Sequence, residues 1–277
     1  MSILSAVFWG IIQGLGEFLP MSSSGHLAIM QNIFGMESTD GMFTFNILLH
    51  LGTLIAVFII YWHDIWELVP AFFGLISKIA KGKRRFLDWS LEERFCVLIL
   101  VATLPLAIAV LLDDYVDILT GYTKIIGCIL ILNGCMLLFS DYIASARRTV
   151  KSPGEIKPRH ALFVGFIQLL AILPGLSRSG STITGGLLMG FERKDAVKFS
   201  FILSIPAILG ANIFSVGDII KNPIASTDVA AYLAGMLAAM LVGIAAMKLL
   251  IYISKKSNFR FFGFYCMAAG LVAIIFG

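Results

Sequence analysis

The chain has 277 residues, of which 58% are hydrophobic and only 14% are charged, and its mean hydropathy is +0.92. A soluble domain carries about 25% charged residues, so this composition excludes an ordinary soluble protein. In a membrane protein the basic residues mostly set the topology, and the net charge of +4 therefore does not indicate a nucleic-acid-binding protein.

Six windows are long and apolar enough to cross a bilayer. A spanning helix needs about 20 apolar residues, and a helix satisfies its own backbone hydrogen bonds within lipid. The windows are 43–62, 95–112, 124–143, 197–219, 229–253 and 261–276. We therefore predict an all-α polytopic membrane protein that forms a single membrane domain over residues 1–277.

Basic residues are concentrated in alternate connections between these windows. The connections 63–94 and 144–160 are rich in Lys and Arg, as are the residues just before the fourth and sixth windows. By contrast, 113–123 is acidic and 220–228 contains Lys221 as its one basic residue. The positive-inside rule places the basic connections in the cytoplasm and the other two outside. With six spans, both termini then lie on the outer face.

Two further apolar segments, 3–36 and 160–192, are interrupted near the middle by Pro, Gly and hydroxyl residues. The string GIIQGLGEFLPMSSSG at 10–25 resembles GFIQLLAILPGLSRSG at 165–180, and its Gln and Ser-x-Ser-Gly recur after 155 residues. We interpret both segments as re-entrant helical hairpins, each followed by three spanning helices. Since three is odd, the two repeats have inverted topology, with boundaries near 1–145 and 158–277. Inverted repeats with broken helices place a binding site where the two copies meet.

Polar residues are concentrated in the turn of the first hairpin. Gln13 and Glu17 are four residues apart, so they share one face of the entering helix. Pro20 then precedes a run of hydroxyls and an imidazole, namely Ser22, Ser23, Ser24 and His26. A carboxylate at bilayer depth costs about 2.5–3.5 kcal/mol, so we expect Glu17 to have a partner and a role.

The turn of the second hairpin carries the charge of opposite sign. Arg178 is the only charged residue between Arg159 and Glu192. A guanidinium binds phosphate oxygens through two donors, and the N-termini of the two returning helices also attract anions. Together with the carboxylate, the imidazole and the hydroxyls of the first turn, these groups favour phosphoryl transfer.

Three segments resemble the signature of the undecaprenyl-diphosphate phosphatases, the bacitracin-resistance membrane family. They are Gln13-x-x-x-Glu17, Pro20-x-Ser22-Ser23-Ser24-Gly25-His26 and Pro174-Gly175-x-Ser177-Arg178-Ser179-x-x-Thr182. The resemblance covers nearly the whole chain. It implies an enzyme of the bacterial inner membrane that converts a long-chain prenyl diphosphate, undecaprenyl diphosphate, to the monophosphate carrier lipid of peptidoglycan synthesis. It also implies bacitracin resistance, two inverted repeats, a pocket open to the outer (periplasmic) face, and a divalent cation, Mg²⁺ or Ca²⁺.

We assign roles to the residues of these segments as hypotheses. Ser23 attacks the terminal phosphorus, and His26 takes its proton and later activates water. Glu17 orients His26 or holds the metal, with Gln13 as a weaker metal ligand because an amide carries no charge. The diphosphate is bound by a guanidinium and by hydroxyls, namely Arg178, Ser177, Ser179, Thr182, Ser22 and Ser24. In the competing assignment His26 is the nucleophile and the serines are phosphate-binding donors.

A transporter is the strongest alternative from another functional class. Inverted repeats with broken helices also build transporters, and Arg178 with the helix ends suffices to bind a lipid phosphate for flipping. Binding alone does not require Glu17, Ser23 and His26 side by side, so the enzyme is favoured. His50, inside the first spanning window, is interpreted either as a packed, hydrogen-bonded residue or as one that faces the cavity. The sequence leaves the oligomeric state open.

Overall fold

The computed structural model describes residues 1–33, 40–82, 85–146, 151–221, 228–256 and 259–277. Within these ranges the chain forms twelve α-helices with short 3₁₀ segments and no strand, which confirms the all-α prediction. The helices are α1 (Ile3–Phe18), α2 (Ser23–Ile33), α3 (Asp40–Ile60), α4 (Trp62–Ala80), α5 (Leu91–Thr103), α6 (Asp113–Thr120), α7 (Thr123–Ala146), α8 (Pro158–Leu170), α9 (Arg178–Met189), α10 (Arg193–Lys221), α11 (Val229–Lys256) and α12 (Arg260–Phe276).

Four of the predicted windows form helical stretches that are long and apolar enough to cross a membrane. They are Leu91–Leu112, Thr123–Ala146, Arg193–Ile213 and Val229–Lys255. The first of them continues α5 through a 3₁₀ segment, Leu104–Leu112, whereas the others are α-helical. The chain is therefore a multi-pass membrane protein, as its composition predicts.

The first and last predicted windows take a different form. After Tyr61 the chain bends by 87° from α3 into α4, so a 19-residue amphipathic helix occupies much of the predicted connection 63–94. Trp62 and Trp66 stack on its exposed side with ring centroids 5.5 Å apart, which suits a membrane–water interface. The last window is the 17-residue helix α12, slightly shorter than a full span.

Several basic helix ends gather at one end of the molecule. Asp141, near the end of α7, accepts hydrogen bonds from Arg193 at 2.8 Å and from the backbone amide of Phe259. Lys198 of α10 pairs with Asp64 of α4. The starts of α10 and α12 therefore lie beside α4 and the end of α7. Four basic residues used in the topology prediction, Lys83, Arg84, Arg147 and Arg148, lie outside the described residues.

Small residues allow α1 to pack directly against α11. A Cβ added at Gly10 would lie 2.3 Å from the carbonyl oxygen of Gly235, and one at Gly14 would lie 2.7 Å from that of Ala239. Since the contact moves forward along both helices, α1 and α11 run parallel. The Gly-x-x-x-Gly spacing at 10 and 14 therefore serves helix packing.

A second glycine seam joins α7 to α12. A Cβ at Gly127 would lie 2.7 Å from the carbonyl oxygen of Gly270, and one at Gly134 would lie 2.5 Å from that of Gly263. The contact moves in opposite directions along the two helices, so they are antiparallel. Both seams fix backbone against backbone, which limits relative movement of the helices that surround the hairpins.

Candidate active site

Each of the two interrupted segments forms a helix–turn–helix unit. In the first unit, α1 ends at Phe18 and α2 begins at Ser23, with Pro20 in the turn. In the second unit, α8 ends at Leu170 and α9 begins at Arg178. Pro20 lacks an amide hydrogen and cannot continue the hydrogen-bond ladder of α1. Ser23 and Arg178 therefore occupy the first helical position after each turn.

A serine hydroxyl caps the returning helix in both turns. The Oγ of Ser22 accepts a hydrogen bond from the amide of Gly25 at 3.2 Å, and the Oγ of Ser177 accepts one from the amide of Gly180 at 3.1 Å. The earlier amides of a first helical turn have no acceptor within the helix. Both turns therefore direct unpaired N–H groups and the positive end of a helix dipole toward the site.

The two turns contain unusual backbone conformations and touch each other. Ser22 has φ +72°, a left-handed conformation that is uncommon for residues other than glycine. Gly175 has φ +102°, and a Cβ there would lie 2.8 Å from the carbonyl oxygen of Ile126. A Cβ at Gly25 would lie 2.7 Å from the Cα of Gly175. The two turns therefore meet backbone to backbone.

One amide side chain bonds to both turns. Asn133 of α7 is fully buried, and its Nδ2 donates to the carbonyl of Pro20 at 3.1 Å. Its Oδ1 accepts from the amide of Ser177 at 3.1 Å. Sequence analysis missed Asn133 because it is a single polar residue in an apolar helix, far from either motif. It fixes the separation of the two turns.

Glu17 links the first hairpin to the second. Its Oε1 pairs with the Nη2 of Arg178, and its Oε2 accepts from the Nε2 of Gln13 at 3.0 Å and from the Oγ of Ser23 at 3.3 Å. The side chain of Glu17 is 8% exposed. The partner expected for this carboxylate is therefore Arg178. Four predicted site residues form one connected cluster.

His26 has a different set of neighbours from the expected one. Its Nδ1 lies 2.8 Å from the carbonyl oxygen of Ser22, and its Nε2 lies 2.9 Å from the hydroxyl of Tyr265 on α12. Across the described part of the chain, neither ring nitrogen is bonded to Ser23 or Glu17. The hydroxyl of Ser23 donates to Glu17 instead. The imidazole lies beside the cluster rather than within it.

His50 of α3 also lies close to the cluster. Its Nδ1 is 2.8 Å from the carbonyl oxygen of Asn46, and its Nε2 is 3.8 Å from the Oε2 of Glu17. The side chain is 37% exposed. Both interpretations of this residue therefore hold, because it is hydrogen-bonded within its helix and also faces the carboxylate.

The hydroxyls predicted to bind phosphate differ in exposure. Ser24 is exposed, whereas Ser22, Ser177, Ser179 and Thr182 are buried. The buried hydroxyls already have partners: the Oγ of Ser179 donates to the carbonyl of Leu19 at 3.3 Å, and that of Thr182 donates to the carbonyl of Arg178 at 2.9 Å. These hydroxyls shape the turn that presents the guanidinium.

Two atoms of the cluster are buried without a hydrogen-bond partner among the described residues. They are the Nη1 of Arg178 and the Oε1 of Gln13. A buried unpaired polar atom costs about 1–3 kcal/mol. The donor on Arg178 suits an anion, and the acceptor on Gln13, beside Glu17, suits a cation. The residues present therefore fit a phosphate group with a bound cation.

The described residues contain no group of three or more His, Cys, Asp or Glu placed to hold a metal ion. Mg²⁺ in phosphate-handling enzymes is commonly bound by one or two carboxylates, with substrate phosphates and waters supplying the other ligands. The oxygen donors of Glu17 and Gln13 fit a hard cation shared in this way.

A separate cavity of about 220 Å³ lies between α4, α5 and α10. Charged and apolar side chains line it, among them Asp64, Arg94, Phe95 and Lys198. None of the ten predicted site residues contributes to its lining. We therefore place the candidate active site at the hairpin turns, where the predicted residues converge.

Comparison with known proteins shows similarity along the whole chain. The family model of bacitracin resistance protein BacA matches residues 6–272. The chain is 39% identical to an undecaprenyl-diphosphatase of Alkaliphilus metalliredigens over 279 residues, which cover 100% of this chain and 99% of the relative. It is 38% identical to an undecaprenyl-diphosphatase of Methanosphaera stadtmanae over 281 residues, covering 99% and 98% of the two chains. It is 37% identical to that of Halothermothrix orenii over 276 residues, again covering 99% and 98%.

Proposed function

This chain belongs to the bacitracin resistance protein BacA family, and we propose that it hydrolyses undecaprenyl diphosphate to undecaprenyl phosphate and inorganic phosphate. This reaction recycles the carrier lipid for peptidoglycan synthesis and confers bacitracin resistance. The observation that carries the proposal is the contact of Glu17 with both Ser23 and Arg178. It places a hydroxyl nucleophile, a carboxylate and a phosphate-binding guanidinium in one cluster.

Arg178 is the main binding group for the diphosphate. Its Nη1 is buried and unpaired, and phosphate oxygens accept two parallel hydrogen bonds from a guanidinium. The N-termini of α2 and α9 add unpaired amides on either side of the turns. Ser177, Ser179 and Thr182 support this arrangement through the backbone, while Ser24 and the strained Ser22 lie at the mouth of the first turn.

Ser23 is the proposed nucleophile. Its Oγ attacks the terminal phosphorus, the bond from that phosphorus to the bridging oxygen breaks, and undecaprenyl phosphate leaves. The proton of Ser23 passes to Oε2 of Glu17, the acceptor 3.3 Å away. When the substrate draws the guanidinium of Arg178 toward its phosphates, Glu17 loses part of its ion pair and becomes a stronger base. Water then cleaves the phosphoserine, releases phosphate and restores the hydroxyl.

His26 activates the water of the second step in this scheme. For His26 also to take the proton of Ser23, its Nε2 must leave the hydroxyl of Tyr265. In the alternative scheme His26 is the nucleophile, and the serines donate hydrogen bonds to the phosphates. Mapping a rapidly trapped phospho-enzyme by mass spectrometry separates the two: we expect the label on Ser23, and a label on His26 would favour the alternative.

A divalent cation, Mg²⁺ or Ca²⁺, completes the proposal. Glu17 and Gln13 would hold it, with the diphosphate supplying further oxygen ligands. The cation supplies positive charge that stabilises the oxyanions developing on the two phosphates. Phosphate release should therefore fall on chelation and return on addition of Mg²⁺ or Ca²⁺.

We also propose that the domain consists of two inverted repeats. The starts of α1 and α8, Ile3 and Pro158, are 155 residues apart, and so are those of α2 and α9, Ser23 and Arg178. The serine caps recur at the same spacing, from Ser22 to Ser177. The local structure of the turns therefore supports the repeat seen in the sequence.

The seam between α7 and α12 gives independent support for the repeats. A shift of 136 residues carries Gly127 onto Gly263 and Gly134 onto Gly270. The same shift turns the contact of Gly127 with Gly270 into the contact of Gly134 with Gly263. A pseudo-two-fold axis through the seam produces this exchange. By the positive-inside rule, the site then opens to the outer face of the bacterial inner membrane.

The test is phosphate release from a long-chain prenyl diphosphate by the purified protein in detergent with Mg²⁺ present. We expect release by the wild type and a loss of at least about 10³-fold in Ser23→Ala, His26→Ala and Arg178→Ala, because residues that act as a unit fail together. Ser145→Ala, an exposed serine on α7, is the matched control and should retain the full rate.

The same experiment addresses the transporter alternative. A transporter binds the prenyl diphosphate through Arg178 and the helix ends but releases no phosphate from it. Tight lipid binding by a folded wild type without phosphate release would therefore contradict the phosphatase and favour lipid transport.

A further inference from the structure

The hydrogen bonds of His26 define its resting tautomer. Its Nδ1 lies 2.8 Å from the carbonyl oxygen of Ser22, which can only accept, so Nδ1 carries a proton. In a neutral imidazole the lone pair is then on Nε2. The hydroxyl of Tyr265, 2.9 Å from Nε2, must therefore be the donor in that contact.

The relative placement of the two rings is fixed from both sides. Their planes are within 9° of parallel, with centroids 5.6 Å apart. The residue after Tyr265, Cys266, is fully buried, and its Sγ lies 3.3 Å from the Nδ2 of Asn133 and 3.6 Å from the carbonyl oxygen of Pro20. The same segment of α12 thus holds Tyr265 and contacts the first turn.

We propose that Tyr265 is a positioning residue that holds the imidazole of His26 ready to activate water, an inference that rests on the proposed function. A phenolic hydroxyl is both donor and acceptor. It donates to Nε2 while His26 is neutral and accepts from the N–H of Nε2 once His26 has taken a proton from water. The ring therefore keeps one orientation through the hydrolysis of the phosphoserine.

Tyr265→Phe is the direct test, because it keeps the aromatic ring and removes the hydroxyl. His26 acts in the proposed hydrolysis step, whereas Arg178 and the helix ends bind the diphosphate. We therefore expect kcat to fall about tenfold while KM stays within twofold, as for the loss of an interaction that acts on the chemical step. The midpoint of thermal unfolding should match the wild type.

Tyr142→Phe is the control, since Tyr142 is an exposed tyrosine on α7. It should leave kcat and KM unchanged. An unchanged kcat in Tyr265→Phe would overturn the proposal. So would a parallel change in KM and a lowered unfolding midpoint, because that pattern indicates a merely structural role.

A second measurement does not depend on turnover. The chain has four histidines, so side-chain ¹⁵N resonances can be assigned with His26→Gln as the reference. We expect His26 to be protonated at Nδ1, and we expect its Nε2 resonance to move when the hydroxyl is removed in Tyr265→Phe. A resonance that does not respond would overturn the pairing. Absence of phosphate release from the wild type would instead contradict the proposed function.

Discussion

At the scale of single residues, Arg178 and Glu17 combine two opposite requirements. The ion pair lowers the cost of a carboxylate at bilayer depth, and it also occupies the guanidinium that must receive the diphosphate. The buried, unpaired Nη1 of Arg178 shows that part of the guanidinium remains available. A diphosphate can therefore begin to bind before the ion pair opens.

We predict that Arg178→Lys raises KM for the prenyl diphosphate by about tenfold or more, because lysine keeps the charge but loses the planar pair of donors. Steady-state phosphate release over a range of lipid concentrations measures this change. Arg159→Lys, at an exposed position near the start of α8, is the control and should not alter KM. A KM for Arg178→Lys equal to that of the wild type would show that bidentate binding is unimportant.

The sequence predicted the residues of the two motifs, because each motif places several polar groups within a few positions of an otherwise apolar segment. It did not predict Asn133 or Tyr265, which are single polar residues in distant helices. Their importance depends on the packing of α7 and α12 against the turns. It also placed His26 beside Ser23, whereas the hydrogen bonds to Ser22 and Tyr265 turn the ring away.

At the scale of secondary-structure elements, the site depends on two turns held in contact. Gly175 occupies a left-handed conformation, and its Cα lies where a side chain at Gly25 would stand. Asn133 bonds to one backbone group in each turn. A change at either point should alter both the stability of the protein and the geometry of the cluster.

We predict that Gly175→Ala lowers the free energy of unfolding by at least about 1–3 kcal/mol, the cost of a residue other than glycine in a strained backbone conformation. The clash with the carbonyl of Ile126 adds to this cost. Thermal unfolding in detergent is the measurement. Gly210→Ala on α10 is the matched control, because a Cβ there meets no atom of the described residues within 4 Å. Equal unfolding midpoints for the two variants would contradict the described turn.

We predict that Asn133→Ala lowers both the unfolding midpoint and kcat. It leaves the buried amide of Ser177 without an acceptor, at a cost of about 1–3 kcal/mol, and releases the first turn from the second. The comparison is Asn32→Ala, which removes a side chain that donates to Thr120 and Thr123 near the surface. If both variants behaved alike, the bridging role of Asn133 would be refuted.

Among the elements, α4 is the one that the sequence described least well. Charged residues interrupt its apolar ones, so the region 63–94 reads as a basic connection. The structure turns the chain by 87° and exposes the aromatic side of an amphipathic helix. A search for spans of continuous hydrophobicity does not detect such a helix, because its apolar residues lie on one face only.

At the scale of the whole molecule, the sequence predicted the helical class and most of the spanning helices from hydrophobicity alone. The contacts between helices could not be predicted in the same way. The glycine seams depend on which helices become neighbours, and α1 pairs with α11 more than 200 residues away in the chain. The proposed two-fold relation between the repeats becomes visible only when those neighbours are known.

The proposed topology predicts which loops reagents can reach in intact cells. In a background without native cysteines, Tyr122→Cys, in the acidic connection, should react with a membrane-impermeant thiol reagent added outside. Lys157→Cys, before α8, should react only after the membrane is permeabilised, because basic connections face the cytoplasm. Labelling of both positions from the same side would contradict the proposed topology.

The central claim is that residues of both hairpins form one phosphatase site. A double-mutant cycle on phosphate release, with Glu17→Gln, Arg178→Gln and the pair together, tests it most directly. We predict that the double variant is within about twofold of the slower single variant, because the second substitution acts on a cluster that is already broken. Losses that multiply independently would show that the two hairpins act separately and would contradict a shared site.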